Sequence, residues 1–298
     1  LRESPMNEGY NEGRIMKATG GFYYVECGGE LVGCRARGLF RKKEITPLVG
    51  DFARFERSEG IGYLTEILPR KNELARPPVA NLDQLVLVSA AADPAPNLPV
   101  LDKLLAIAEH KKIQAAIVFT KSDLADVSGL LKLYRGAGYE AMSVNSLSGM
   151  VDAVRPLLKG KLSVFSGNTG VGKSTLLNAL DPALALQTGE ISQKLGRGRH
   201  TTRVTQIYKA AGGLVADTPG FSAIDTRQFE LIRKEELEDC FPEFSPFLGG
   251  CRFTGCSHTK EKGCAVLAAV ERGEVAVSRW ESYLALYEEA KEIKEWEL

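Results

Sequence analysis

The run Gly167-Asn168-Thr169-Gly170-Val171-Gly172-Lys173-Ser174 follows a short apolar segment and opens an amphipathic one. Such a run needs a strand, a tight glycine turn and a helix N-terminus, in that order. Successive backbone N–H groups can then surround phosphate oxygens. Upstream of it stands Thr120-Lys121-Ser122-Asp123, which has the form of a guanine-reading segment. A phosphate-loop protein that selects guanine ordinarily carries that segment after the loop. Here it comes first, so the chain must fold as an α/β sheet whose elements are joined in an unusual order.

The surrounding pattern agrees. Apolar strands are expected over 85–89, 115–119, 140–144, 161–165 and 214–216, and helices over 99–111, 127–137, 149–158 and 173–180. Alternating buried strands and helices imply a parallel sheet covered on both faces. Functional loops then lie at the carboxyl ends of its strands. Before residue 76 the pattern is different. Short strands over 14–17, 21–27, 30–36, 51–57 and 62–68, broken by glycine turns, suit a five-stranded OB-type barrel. Arg76-Pro77-Pro78 reads as a linker. After residue 228, helices are expected over 229–240 and 275–298. The second carries an apolar stripe of Trp280, Tyr283, Leu284, Tyr287, Ala290 and Ile293, which is read as a packing face. The expected domains are 1–76, 77–228 and 229–298.

The 298 residues, 44% of them apolar, can fill two or three cores. The 38 basic and 38 acidic residues cancel, so only local charge clusters carry information about partners. One lies at 35–43, where Arg35, Arg37, Arg41, Lys42 and Lys43 stand with Phe40 and no acid. That stretch is either a loop for a nucleic-acid backbone or a solvated surface loop. No run of about 18 apolar residues occurs, so a membrane span is not expected. The N-terminal residues lack a hydrophobic signal core. A cytoplasmic monomer is expected.

The motifs define a nucleotide chemistry. Gly167, Asn168, Thr169, Gly170, Val171 and Gly172 would wrap the phosphates. Lys173 would reach the β and γ phosphates, and Ser174, followed by Thr175, would ligate Mg²⁺. Asp217-Thr218-Pro219-Gly220 fits D-x-x-G, with the aspartate holding Mg²⁺ through water and the Gly220 N–H sensing the γ-phosphate. The Asp123 carboxylate suits the N1–H and N2 amino donors of guanine. Adenine would leave that buried acceptor unpaired. The alternative for Ser122 or Asp123 is an ordinary helix N-cap. Between these motifs lies the basic, glycine-rich stretch 196–203. Thr202, or failing it Thr201, is the candidate to close on Mg²⁺ and the γ-phosphate. Phe221 fills the place of a water-orienting glutamine, and a phenyl ring cannot orient water. His200, one of three histidines, is the candidate for that work, as an orienting group first and a general base second.

Cys251, Cys256, His258 and Cys264 have the spacing C-x₄-C-x-H-x₅-C, which suits a closed, structural Zn²⁺ site, one per chain. With no export signal, this clustering points to metal rather than to disulfides.

These residues together resemble one family closely: the circularly permuted, small-ribosomal-subunit-dependent GTPases (the RsgA or YjeQ family). The resemblance runs through Gly13-Arg14-Ile15, Val49-Gly50-Asp51, Thr120–Asp123, 167–175, 198–202, 217–221 and 251–266. It implies an OB-fold, a permuted GTPase domain and a zinc-binding domain. It also implies late maturation of the small subunit, contact with its rRNA and GTP hydrolysis stimulated by the subunit. The family's catalytic histidine falls on His200 and its switch threonine on Thr202. One motif departs: the loop that usually reads Ser-Ala-Lys is Ser143-Val144-Asn145. Two other classes stay open on sequence alone, a P-loop kinase and a nucleic-acid-binding scaffold holding GTP as a structural ligand.

Overall fold

The computed structural model describes residues 11–38, 40, 45–58, 60–75, 77–184, 186, 205–217 and 231–293. The five N-terminal strands are β1 (Asn11–Thr19), β2 (Phe22–Cys27), β3 (Glu30–Ala36), β4 (Phe52–Ser58) and β5 (Ile61–Ile67). They pair in the order β1-β2-β3-β5-β4, and β4 returns to β1 to close a barrel in which only β3 and β5 run parallel. Alternation along the strands sends Ile15, Val25, Cys34, Ala53, Phe55 and Leu64 inward, all fully buried. The OB-type expectation therefore holds.

The expected linker does not. Around it, β6 (Glu73–Leu74) and β7 (Val79–Ala80) form a small hairpin, and Val79, Ala80 and Leu82 are fully buried. The Ala80 N–H donates to the Val49 carbonyl at 2.9 Å. Apolar residues just after the prolines have a barrel end to cover, which a free tether would leave exposed to water.

The α/β part contains β8 (Gln84–Ala90), α1 (Leu98–His110), β9 (Gln114–Thr120), α2 (Ser128–Gly136), β10 (Glu140–Ser143), α3 (Arg155–Leu158), β11 (Leu162–Ser166), α4 (Lys173–Leu180), β12 (Thr205–Ala210) and β13 (Gly213–Asp217). The strand order is β10-β9-β8-β11-β13-β12. The first five are parallel and β12 is antiparallel to β13. Side chains alternate across the sheet. Leu85, Leu87, Ile117 and Phe119 face one core with α1 and Tyr134, while Val86, Val88, Val118 and Phe165 face another with Leu158, Leu176 and Leu177. The helix expected over 149–158 is shorter, a 3₁₀ turn at Asp152–Val154 followed by α3. Asn145 and Met150 close a bridge just before it, so the helix starts only after residue 151.

The edge strand β12 was not expected. Its outer side pairs with β1 of the barrel, Lys17 opposite Gln206 and Ala18 opposite Thr205. Barrel and parallel sheet thus form one 11-stranded sheet.

The helix expected over 229–240 is also not found. Among the described residues of that stretch there are turns and one 3₁₀ segment, Glu238–Cys240. Pro242 follows at once, and Leu237 and Cys240 suffice to anchor turns to the core. A second 3₁₀ segment, Pro242–Phe247, leads to α5 (Ala265–Glu271) and α6 (Val277–Lys291). Tyr283 and Ala290 of the α6 stripe are buried as expected, but so are Arg279 and Ser282. The Arg279 guanidinium, 1% exposed, meets Asp102 of α1 at 2.7 Å and Glu243 at 2.6 Å. The Ser282 hydroxyl donates to Asp102 at 2.5 Å, and so does the Tyr134 hydroxyl of α2, at 3.0 Å. One satisfied polar cluster therefore joins α1, α2 and α6.

Candidate nucleotide site and metal centre

β9, β11 and β13 all run toward the same end of the sheet, and the phosphate loop leaves β11 there. Gly167 follows β11 so closely against β8 that a Cβ would lie 2.2 Å from the Val88 carbonyl oxygen, a contact only glycine permits. Gly172 has φ +87 and caps α4 in the left-handed conformation, a turn that glycine makes without strain. Lys173, Ser174 and Thr175 form the first turn of α4 and are half-buried. Asn168 is half-buried, Thr169 and Gly170 are exposed, and Val171 is buried at 3%.

The guanine-reader candidate abuts this loop. Thr120, 1% exposed, donates its hydroxyl to the Val171 carbonyl. The next residue, Lys121, has φ +54, an uncommon conformation for a lysine, and its ammonium donates to the Asp93 carbonyl. Asp123 is exposed on the same turn. The Ser143-Val144-Asn145 segment lies beside it. The Val144 N–H donates to the Phe119 carbonyl at 2.8 Å, and the Val144 carbonyl accepts from the Ser122 N–H at 3.3 Å. Val144 is buried at 2%, Ser143 is exposed, and the Asn145 amide oxygen accepts from the N–H groups of Leu147 and Ser148. The departure from Ser-Ala-Lys therefore leaves a self-contained turn, with Asn145 engaged in it. β13 ends at Asp217, whose backbone pairs with Gln206. His200, Thr201, Thr202, Gly220 and Phe221 lie outside the described residues, as do Arg41, Lys42 and Lys43 of the basic stretch. Of that stretch, Arg35 stacks over the Phe22 ring at 4.6 Å and Arg37 pairs with Glu56.

The four proposed metal ligands converge. The sulfurs of Cys251, Cys256 and Cys264 and one ring nitrogen of His258 all lie within 4.8 Å of one another. Cys251 Sγ is 3.9 Å from Cys264 Sγ and 3.6 Å from His258 Nδ1, which is 3.3 Å from Cys264 Sγ. A tetrahedral zinc with its usual bond lengths sets such edges at about 3.5–3.8 Å. The sulfurs have further support, since the N–H groups of Ala265 and Leu267 point at Cys251 and Cys264 at 3.3 and 3.4 Å. Burial pushes the Cys256 thiol up to about 12, so a cation is what would keep these groups ionised together. His258 Nε2 meets Glu238 at 2.7 Å, the carboxylate–histidine arrangement that fixes a metal-bound ring. Nothing in the ligand spacing announced Glu238, which lies 20 residues away. Trp280 and Tyr283 of α6 donate to the carbonyls of His258 and Ser257, at 2.9 Å each, and tie the metal loop to the helix. The donor set and the separations fit zinc.

Fold and site define the class as a P-loop GTPase with its elements circularly permuted, since β11, which enters the phosphate loop, comes fourth among the strands of the α/β part, after the strand of the guanine reader, yet lies between β8 and β13. Comparison with known proteins gives the family. The model described as RsgA GTPase matches residues 67–227, and that described as RsgA N-terminal domain matches 12–64. The chain is 49% identical over 286 residues to the small ribosomal subunit biogenesis GTPase RsgA 2 of Oceanobacillus iheyensis, covering 93% of this chain and 97% of that one. It is 47% identical over 291 residues to the RsgA of Geobacillus kaustophilus, covering 95% and 98%. The crystal structure of YloQ, a circularly permuted GTPase, superimposes with a TM-score of 0.78 at 38% identity, covering 98% of this chain and 99% of that one. YjeQ from Thermotoga maritima gives 0.82 at 34%, covering 96% and 100%. The chain belongs to the RsgA GTPase family and is a GTP-hydrolysing P-loop enzyme. Among the described residues no helix is long and apolar enough to cross a membrane.

Proposed function

We propose that this GTPase acts in late maturation of the small ribosomal subunit, that the subunit stimulates its turnover, and that the GTP or GDP state controls association and release. The observation that carries the nucleotide part is the convergence of the β9, β11 and β13 ends at one end of the sheet. Guanine sits against Thr120, Lys121 and Asp123, with the Ser143 and Val144 backbone completing the base site. Residues 167–175 hold the phosphates, with Lys173 on the β and γ groups. Ser174 and Thr202 hold Mg²⁺, assisted by Asp217, and Gly220 senses the γ-phosphate. The metal, when bound, neutralises charge on the phosphate oxygens. His200 orients the attacking water, and Phe221 in place of a glutamine makes unstimulated turnover slow.

The partner assignment rests on the family. The relatives are named as small ribosomal subunit biogenesis GTPases. A barrel domain (1–76) and a zinc domain (229–298) flank the GTPase domain (77–228) and contact rRNA. One structural Zn²⁺ is held by Cys251, Cys256, His258 and Cys264. The protein works as a cytoplasmic monomer.

Measuring GTP turnover with and without purified small subunits tests this. Stimulation is expected, Ser174→Ala should remove most of it, and His200→Ala should lower it while sparing GTP binding. Normal turnover in His200→Ala would overturn the role given to that residue. Equal subunit affinity with GDP and with a non-hydrolysable GTP analogue would refute nucleotide control.

A further inference from the structure

Barrel packing accounts for two of the three residues Gly13-Arg14-Ile15. A Cβ on Gly13 would lie 2.1 Å from the Glu26 carbonyl oxygen. The Ile15 N–H and carbonyl bond to the Asp51 carbonyl and the Gly50 N–H, at 2.8 Å each. Packing does not account for Arg14. Its guanidinium stacks over Phe52, its cross-strand neighbour on β4, at 4.5 Å. Among the described residues it has no hydrogen-bond acceptor, and burial lowers its pKa. The nearest carboxylates are engaged elsewhere, Asp83 with Lys71 and the Leu162 N–H, and Glu26 with Lys209.

Arg14 faces an open groove of about 560 Å³ between the barrel and the parallel sheet. Lys161 and Lys209 line it too, with Asp83, Asp181 and the turn between β12 and β13. The Lys161 ammonium is held at 3.3 and 3.0 Å by the amide oxygens of Gln84 and Gln114, which leave its charge intact. Asp181 has no cationic partner among the described residues, and its carboxylate accepts from the Ala183 N–H. The groove lies at the amino end of β11, roughly 20 Å along the strand from the phosphate loop. It is therefore separate from the GTP site. On the barrel face beside it, two more cross-strand pairs set a cation over a partly exposed ring, Lys17 on Tyr24 at 5.8 Å and Arg35 on Phe22 at 4.6 Å.

We infer that this groove binds the phosphodiester backbone of a single-stranded RNA segment, with Arg14 and Lys161 on phosphates and bases stacking on Phe52, Tyr24 and Phe22. Alternating cations and exposed rings are what an unpaired strand needs, since every base has a face to stack and every nucleotide a charge. The inference rests on the reading of the chain as an RNA-contacting GTPase and adds where a single strand runs.

The test is fluorescence anisotropy of a labelled dodecauridine RNA with the full chain, zinc-loaded and bound to Mg²⁺ and a non-hydrolysable GTP analogue, over a salt series. Arg14→Gln and Lys161→Gln should each weaken binding about fivefold and reduce the salt slope by about 0.7. Arg57→Gln, which removes an exposed partner of Glu30 elsewhere on the barrel, should change neither. Arg14→Lys should fall between wild type and Arg14→Gln. Melting curves and subunit-independent GTP turnover should be unchanged in all four. Wild-type affinity and slope in both glutamine variants would overturn the groove assignment. So would failure of the wild type to bind the RNA while small subunits still stimulate its turnover. If the wild type neither binds RNA nor responds to subunits, the functional reading fails and the groove with it.

Discussion

The Thr120 hydroxyl donates to the Val171 carbonyl, so the last residue of the strand before the guanine reader is hydrogen-bonded to the middle of the phosphate loop. In sequence these segments stand in inverted order, and in space they are one unit. The bond explains how a permuted chain keeps a single nucleotide site. Cutting and rejoining the connections changes the order of β9 and β11 but not their place beside β8. Both residues of the contact are buried, which protects it from competition by water.

Thr120→Val keeps the shape and deletes the donor, leaving the Val171 carbonyl unpaired. A loss of about 1–2 kcal/mol in stability is expected. GTP affinity should fall roughly fivefold, because the loop loses the group that fixes it, while the preference for GTP over ATP persists. Thermal melting and calorimetry check both. Unchanged GTP affinity would mean that the bond serves packing alone.

Asp123→Asn exchanges a carboxylate acceptor for an amide on the exposed turn after β9. Preference for GTP over ATP should fall by a factor of about 100 or more, with phosphate binding retained. Calorimetric titration with both nucleotides measures it. Equal discrimination in wild type and variant would remove Asp123 from the base site; the helix-cap alternative is already excluded, since the next helix starts only at Ser128 with Val127 at its cap.

What the sequence made legible was local. Gly167 to Ser174, Thr120 to Asp123 and the Cys251–Cys264 cluster announce themselves because each is a short segment whose chemistry sets its spacing. The parts that escaped are relations between distant segments. β12 carries Thr205, Gln206 and Lys209, and no strand was expected there. Only its position between β13 and β1 makes it a strand. Arg279 reads as a solvated helix charge until Asp102 and Glu243 are brought to it. Glu238 has no signal at all before His258 is placed against it. The helix expected over 229–240 failed because composition allowed it, while Pro242 and two anchoring side chains decided for turns.

Glu238→Gln leaves all four metal ligands in place and weakens only the acceptor behind His258. Zinc affinity should drop by about 10- to 100-fold, measured by competition with a chromophoric chelator. Chelating the metal from the wild type should lower the melting temperature, since the loop from 249 to 264 has few apolar residues of its own. An unaltered zinc affinity in Glu238→Gln would show that the ring is oriented by other contacts, such as its carbonyl bond from Trp280.

Arg279→Met leaves Asp102 and Glu243 facing a buried methionine. The expected cost is about 3–5 kcal/mol, far above that of an exposed ion pair. Adding Asp102→Asn should recover part of it, because one uncompensated charge is then gone. Denaturant unfolding of the two single variants and the double variant gives the cycle. Additive costs would mean the pair is not coupled.

Glu109, at the end of α1, sits half-buried near this cluster. Burial raises its pKa above the ordinary carboxylate value by more than the Tyr139 hydroxyl and Arg279 lower it, and the charge of Glu243 adds to the rise. A carboxyl whose folded pKa exceeds its unfolded value binds more protons when folded. Stability therefore falls as pH rises from the unfolded pKa through the folded one, and the penalty is complete above both. Glu109→Gln removes that penalty, so it should stabilise the protein at pH 7 and lose its advantage as pH falls toward about 4.5. Because the side chain is only half-buried, solvent screens much of the effect, and a rise of about 1–2 °C in Tm is expected. Melting curves of wild type and variant between pH 4.5 and 8 test the sign. A variant less stable than wild type at pH 7 would show that the attraction between Glu109 and Arg279 outweighs burial.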